Sequence, residues 1–414
     1  MKKLITLLLA TAGMVSTVSA WTTVKLLNNV EGKWDTTAST EMTKIDDGTH
    51  NFFYYILDSS TVTDAEGNYY FRIYVTDDGG KYYGAKDNDF AILDYTNYGG
   101  TEGSYSFKLV TDKTSKYIIS VGFWDNVWHF TATTYSGTGT ITFVNTSNFS
   151  TPKAYVYCTG EARLTGGWPG TAMTLNADGT YSLSNVNIGK NTKVIISDNG
   201  SNQISDQDFS NDLVLDGSGP AADQTFEVGS LGYATFSSAY PLNILGSEAV
   251  KAYRATVTDG KVVLHQVTGS IPAKTGLVLA GTAYATATIS PATGVTSIDD
   301  NLLKASVTAT QLTYAEGAPY RYFLAGSDAE SVGFYYLASN QNSAAGKAYL
   351  ETSTALANTT ADARVAWTFA DEVTGITSSY RETLNDTRYY DLQGRCIAQP
   401  TKGLYIINGK KIIF

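Results

Sequence analysis

The sequence predicts an all-β protein: a tandem array of β-sandwich modules, immunoglobulin-like or jelly-roll in type, closed by a small C-terminal β tail. Three observations predict it. Short runs of alternating apolar and polar residues recur along the chain, separated by Asp-Gly, Gly-Gly, Asn-Gly and Asp-Asn turn signals. The composition, with 29 Tyr and 38 Gly against 16% charged residues, favours pleated, turn-rich structure over helix. Beyond the first twenty residues no long stretch carries helical periodicity.

The elements follow in order. "MKKLITLLLATAGMVSTVSA" opens with two lysines, continues through an apolar stretch and ends in Val-Ser-Ala, the layout of a secretory signal peptide (1–20) cut after Ala20. Position 21 is Trp, so no lipid anchor on a mature N-terminal cysteine is expected. No later stretch approaches the ~18 uninterrupted apolar residues of a membrane helix. The expected location is secreted or cell-surface. Residues 21–140 form a first module, carrying "YYFRIYV" (69–75), "YSFKLV" (105–110) and "KYIISVGF" (116–123), and ending in "TYSGTGT", which reads as a linker. Residues 141–222 form a second, with "TITFVN" entering it at 140–145 and "KVIISD" (193–198), ending in "LDGSGPAAD". Residues 226–372 form a third, and 373–414 a tail. The first two modules share an Asp-Gly turn among threonines and aromatics ("EMTKIDDGTHNFFYY", 41–55; "AMTLNADGTYSL", 172–183), which points to duplication.

A formal net charge of −10 argues against nucleic acid, whose phosphates call for clustered Lys and Arg. A neutral ligand or a protein partner fits better. Export would permit a disulfide between Cys158 and Cys396, but nothing in the chain resembles a disulfide framework and two unpaired thiols are the favoured reading. Catalysis finds few parts. With three histidines (His50, His129, His265) there is no His-Glu-x-x-His, no Gly-x-Ser-x-Gly and no phosphate-binding Gly-Lys-Ser/Thr loop. A glycoside hydrolase needs two carboxylates in a cleft, often on a β/α barrel, and no segment alternates strand with helix. The acidic stretches "KDNDF" and "SDQDFSND" would serve as calcium loops or as solvated turns, and lack the full calcium-loop pattern. No catalytic residue, metal or cofactor is implied.

The second module holds the chemistry. In "AYVYCTGEARLTGGWPG" (154–170), strand alternation places Ala154, Val156 and Cys158 on one face and Tyr155 and Tyr157 on the other. The small apolar set suits a core and turns the tyrosines outward. Trp168 falls in "TGGWPG", where Pro169 and the glycines favour a loop. Two outward tyrosines beside a loop tryptophan make either a platform for a sugar ring, whose C–H face packs on an aromatic plane, or rim packing of a small sandwich. Angled rings match the curved face of an α-1,4-glucan better than a flat β-glucan ribbon. "SDNGSNQISD" (197–206) supplies an edge, where Gln203 has an acceptor and a donor spaced for vicinal hydroxyls.

The stretch from about 143 to 206, with "AYVY", "GGWPGTAM", "ADGTYSL" and "KVIISDNGSNQISD" in that order, resembles a starch-binding module of carbohydrate-binding family 26. The resemblance implies that Tyr155, Tyr157 and Trp168 are the binding aromatics and Gln203 the hydrogen-bonding glutamine. Ile196-Ser197 departs from the family's usual Phe-Asn without touching those positions. The implied function is a non-catalytic protein that binds starch, glycogen or maltooligosaccharides, with other surface glycan-utilisation proteins as partners. An adhesin or structural surface protein with a vestigial glucan site is the alternative, and a glycosidase on an unfamiliar β scaffold a third.

The tail "YYDLQGRCIAQPTKGLYIINGKKIIF" (389–414) is similar to C-terminal sorting-type domains of type IX secretion in Gram-negative bacteria, which implies transport or attachment at the outer membrane surface. A small β extension of the third module is the alternative reading. Asn408-Gly409 suits a type I′ turn. In the first module, Trp34 in "EGKWDTT", Tyr82 in "GGKYYG" and Trp124 in "GFWDNVWHF" compose a conceivable second glucan site; alternatively Trp124 and Trp128 pack on one core from two sides. Two linked sites would raise apparent affinity for a long polymer. In the third module Trp367, His265 and "PYRYF" show no site spacing, and a spacer role is expected.

Overall fold

The computed structural model describes residues 21–30, 33–45, 51–86, 98–103, 105–158, 163–295, 297–328, 330–356, 360, 363–370 and, in the tail, the backbone of four short strands. Among the described residues there is no α-helix. The multiple sheets are those of tandem β-sandwich modules. Residues 1–20, read above as a signal peptide, lie outside the described residues. Two compact units emerge, 1–368 and 369–414.

In the first 220 residues three sheets are stacked about two cores. An outer sheet pairs Thr40–Glu41, Val24–Asn28, Asn68–Val75 and Lys81–Gly84 in that order. A central sheet runs Thr43–Ile45, Asn51–Asp58, Lys116–Trp124, Val127–Phe143. A second outer sheet holds Thr171–Ala172, Pro152–Cys158, Thr192–Asp198 and Gln207–Asp208. The central sheet is apolar on both faces, and the alternation of its strands shows how. Ile119, Val121, Phe53 and Leu57 enter one core with Leu26, Phe71 and Ile73, whereas Ile118, Tyr54 and Ile56 pack against a second core of Ala154, Val156, Cys158, Val194 and Ile196. The two outer sheets therefore lie on opposite sides of the central one. Tyr98–Glu102 joins the first outer sheet to the central one by pairing with both Lys81–Gly84 and Val127–Phe143.

The stretch expected to be a linker is not one, and the turn cluster that ends the second module is tied to the next. "TYSGTGT" lies inside the 17-residue strand Val127–Phe143, which crosses the boundary placed at 140/141. Its glycines mark irregularities between Tyr135 and Gly137 and between Gly139 and Ile141, near which the strand leaves Lys116–Trp124 and continues along Tyr181–Gly189. A glycine-rich run thus signals bulges here rather than a break. "LDGSGPAAD" is a hairpin of Leu213–Asp216 with Gly219–Pro220. The Asp216 carboxylate accepts from Ser218 and, at 2.6 Å, from the Tyr240 hydroxyl of the following module. Further contacts, Ala273 N–H to Asp178 (3.0 Å) and the Thr293 hydroxyl to Asp212 (2.8 Å), pin the two together.

The first and second modules repeat one register. Val24–Asn28 pairs with Asn68–Val75 as Val24↔Val75 to Asn28↔Phe71, and Pro152–Cys158 pairs with Thr192–Asp198 as Pro152↔Asp198 to Val156↔Val194. Leu26 faces Thr40 where Ala154 faces Thr171. The next residue but one, Met42 or Met173, is buried and donates its N–H to the carbonyl of Val24 (2.8 Å) or Pro152 (3.0 Å). The chain then crosses to the central sheet, where Thr43–Ile45 pairs with Asn51–Asp58 and Thr174–Leu175 with Tyr181–Gly189. The "EMT" and "AMT" of the two Asp-Gly segments are the same structural step.

Residues 226–368 build two further cores, one around Phe226, Leu242, Ala252 and Leu279, the other around Leu264, Tyr322, Phe334 and Leu350. Trp367 packs between Tyr233 (5.0 Å) and Phe334 (5.6 Å). In the second unit Tyr389–Tyr390, Cys396–Ile397, Leu404–Ile407 and Lys410–Ile413 form one sheet. Ile407 there pairs with Lys410, and Asn408-Gly409 lies outside the described residues. Cys158 is a free, buried thiol 3.4 Å from the Thr192 hydroxyl, and burial raises its pKa. The side chain of Cys396 is outside the described residues.

Candidate functional site

Along Pro152–Cys158 burial alternates strictly. Ala154, Val156 and Cys158 enter the core, and Tyr155 and Tyr157 stand on the outer face, half-buried. Two residues apart on one strand, their rings stack at 5.3 Å with planes 23° apart. Such a pair contributes roughly 0.5–1.5 kcal/mol beyond its burial and holds both rings in one orientation.

Trp168 is brought to this face by a loop clipped to the strand. Thr165 inserts its hydroxyl into the strand edge, donating to Ala154 O (3.0 Å) and accepting from Val156 N–H (2.8 Å). Gly170 N–H closes the turn on Gly167 O at 2.7 Å, around a cis Trp168-Pro169 bond. Gly170 has φ +89°, and a Cβ there would stand 2.1 Å from Ala154 O, so the loop lies directly on the strand backbone. The indole meets Tyr155 edge-on at 5.6 Å and 76° and remains 40% exposed, high for the largest side chain. Three rings thus form an angled, accessible platform.

The edge comes from the turn after Thr192–Asp198. Asp198 N–H donates to Asn202 O (2.7 Å), Gly200 N–H donates to the Ser197 hydroxyl (3.1 Å), and Ser197 bridges to Gln203. Gly200, at φ +87°, lies against the indole: a Cβ would be 3.0 Å from Trp168 Nε1. Gln203 is exposed, on the outer face it shares with Ser197 through that bridge. The Asp198 carboxylate accepts from Thr151 N–H (2.7 Å) and Ser150, the first of which chiefly holds its pKa below the ordinary value. At the other end, burial and the nearby Asp206 carboxylate raise the Tyr157 phenol, keeping it a neutral donor. Asp206 and Asp208 pair with Lys193 at 3.2 and 3.0 Å, while Asp212 accepts from Thr140 N–H and Thr293. The "SDQDFSND" carboxylates are engaged by protein groups; most of "KDNDF" lies outside the described residues.

The four residues expected to form the site are therefore gathered on one face. The three named for the first module are not. Trp34 and Tyr82 flank Arg72, whose guanidinium lies 5.4 and 4.9 Å from their ring centres. Trp124 stands elsewhere, flat on His129 at 3.6 Å and 6°, beneath Arg163 at 4.3 Å. Nor do Trp124 and Trp128 share a core: Trp128 is buried in the first core, while its strand neighbour His129 faces the other way and carries Trp124 with it. Alternation along "VWHF" (127–130) held that answer. The sequence reading also missed Thr165 and Arg72. A threonine beside Gly-Gly gives no local sign that it clips a strand edge, whereas Arg72 sits visibly at an outward position of "YYFRIYV".

Residues 141–209 match the family model of starch-binding module 26. No curated protein and no solved structure matches the chain. Over that stretch the chain is similar to a starch-binding module, which supports binding of starch or α-glucan in general.

Proposed function

We propose that this is a non-catalytic, secreted or cell-surface protein that captures α-glucan through Tyr155, Tyr157 and Trp168, with Gln203 bonding hydroxyls at the edge. The observation that carries the reading is the exposed, angled three-ring platform within the stretch that matches a starch-binding module. Each ring supplies a face for the apolar side of a glucose unit, and the 76° between Tyr155 and Trp168 follows the turn of an α-1,4-linked chain. Capture rather than turnover fits a surface whose carboxylates are engaged by protein groups, Asp206 and Asp208 by Lys193 and Asp198 by Ser150 and Thr151. Export rests on the leader-like first twenty residues, and surface attachment on the sorting-type tail.

Affinity electrophoresis in gels containing soluble starch, glycogen, pullulan or a β-glucan tests it. Retardation by α-glucans alone is expected, surviving high salt because stacking and neutral hydrogen bonds are little screened, and dropping sharply in Trp168→Ala. Unchanged mobility in every gel would favour an adhesin with a vestigial site. Release of reducing sugar on long incubation would overturn the non-catalytic part alone.

A further inference from the structure

The repeated register lets the outer faces of the two modules be compared position by position. Leu27 occupies the place of Tyr155, Arg72 that of Ile195, and Tyr74 that of Ser197. Tyr74 pairs with Tyr82 as Ser197 pairs with Gln203, so Tyr82 stands where the glucan-facing amide stands in the second module. The face is nonetheless aromatic. The Tyr74 and Tyr82 rings lie 5.0 Å apart, and Trp34 arrives from the loop after the first strand, as Trp168 does in the second module. Arg72 lies against both Trp34 and Tyr82, with Leu27 fully buried on the same face. Trp34, Tyr74 and Tyr82 are each half-exposed.

We infer that this face is a second α-glucan site, in which Trp34 and Tyr82 stack on sugar and the Arg72 guanidinium replaces the Gln203 amide as donor to hydroxyls; the inference rests on the glucan reading of the second module. A planar guanidinium held between two rings has a fixed orientation, which suits donation to sugar oxygens from its terminal nitrogens, the Nε being buried. Trp124 has no part in it.

The layering gives the pair of sites a consequence. The outer sheets lie on opposite sides of the central sheet, so the two faces point away from each other. A glucan strand held on one face does not reach the other without passing round the layers. The sites therefore serve two strands, and the protein bridges glucan chains instead of gripping one chain twice, contrary to the gain in affinity that two linked sites suggest.

Titration calorimetry with maltoheptaose and light scattering with glycogen, both on the full chain, test this. Expected are two sites per wild-type chain and one in either Trp34→Ala or Trp168→Ala, with glycogen cross-linking by the wild type and at least a tenfold loss of scattering in each variant. Tyr82→Ala, checked for folding by circular dichroism, should behave as Trp34→Ala. If Trp34→Ala and Tyr82→Ala still cross-link and keep the wild-type stoichiometry, the second site is wrong. Binding that vanishes completely in Trp168→Ala also overturns it, while leaving the first site standing. A wild type that binds no α-glucan removes both readings.

Discussion

The two outer sheets carry the same ladder and put it to different use. In the second module the loop bearing the tryptophan is pressed onto the strand: Thr165 replaces ladder bonds and Gly170 touches Ala154 O. In the first, the corresponding loop is tied to its strand by Asn28 N–H to Lys33 O (3.2 Å) and Lys25 Nζ to Thr36 O (2.9 Å), and its end is a turn of its own. Asp35 accepts from Thr37 N–H (2.7 Å), and Ser39 N–H donates to Asp35 O (2.9 Å). Ser39 stands immediately before Thr40, where Gly170 precedes Thr171. At Gly170 the end of the loop presses on the strand backbone and needs glycine, whereas the matching place holds Ser39. Register is thus shared, while the turn that ends the loop differs between the two modules.

That contrast is broken most severely at Gly170. Gly170→Ala combines a φ of +89° with a Cβ 2.1 Å from Ala154 O and 2.6 Å from Tyr155 Cα, atoms of backbone that have nowhere to go. A loss of about 2–3 kcal/mol is expected, together with loss of retention in starch gels as the Trp168 loop lifts. Ser39→Ala should cost less than ~1 kcal/mol, the scale of its hydroxyl bond to Thr36 O. Denaturant melts of both variants decide it, and a Gly170→Ala protein with wild-type melt and mobility would refute the account of the loop.

Exchanging the residues at the matched position sharpens the comparison next. Tyr155→Leu removes the ring that touches both Tyr157 and Trp168, so maltoheptaose affinity should fall about tenfold, equivalent to ~1.4 kcal/mol, with a stability loss of roughly 0.5–1.5 kcal/mol for the ring pair. The reciprocal Leu27→Tyr forces a larger side chain into a fully buried place and should cost about 1–3 kcal/mol by overpacking. A Leu27→Tyr protein of wild-type stability would mean that the faces do not differ as described.

How much of this was readable beforehand depends on how local the cause is. The tyrosine pair was legible because strand alternation alone turns 155 and 157 away from a small apolar set. Trp168 was legible as a loop residue from its glycine and proline neighbours. The shared central sheet was not, because "KYIISV" is apolar at consecutive positions and only three-dimensional packing reveals that Ile118 and Ile119 serve different cores. "TYSGTGT" failed for a related reason: glycine marks a bulge as readily as a break, and the strand's change of partner is a long-range event. The grouping of Trp34 with Trp124 failed because proximity between loops is set by register.

The smallest expected effect lies at a corner the two modules share. Asp77 accepts from Thr22 N–H and hydroxyl (2.6 and 2.5 Å) and from Thr23 N–H, just ahead of Val24, as Asp198 accepts from Ser150 and Thr151 just ahead of Pro152. In both, these bonds hold the carboxyl pKa below its ordinary value, chiefly the Thr22 hydroxyl in one and Thr151 N–H in the other. A depressed folded-state pKa contributes stability that is present above the unfolded value, about 3.9, and is lost as pH falls through the folded one. Both corners are exposed, so the loss is modest and confined to acid below about pH 4. Asp198 also begins the turn that carries Gln203 to the platform, whereas Asp77 has no contact with the second module's site. Maltoheptaose affinity at the Tyr155 site should therefore weaken by less than a few-fold between pH 5 and pH 3, measured in a Trp34→Ala background. Asp198→Asn should flatten that dependence and Asp77→Asn leave it intact. An identical pH response in all three proteins would show that the carboxylate corner does not position the glutamine edge.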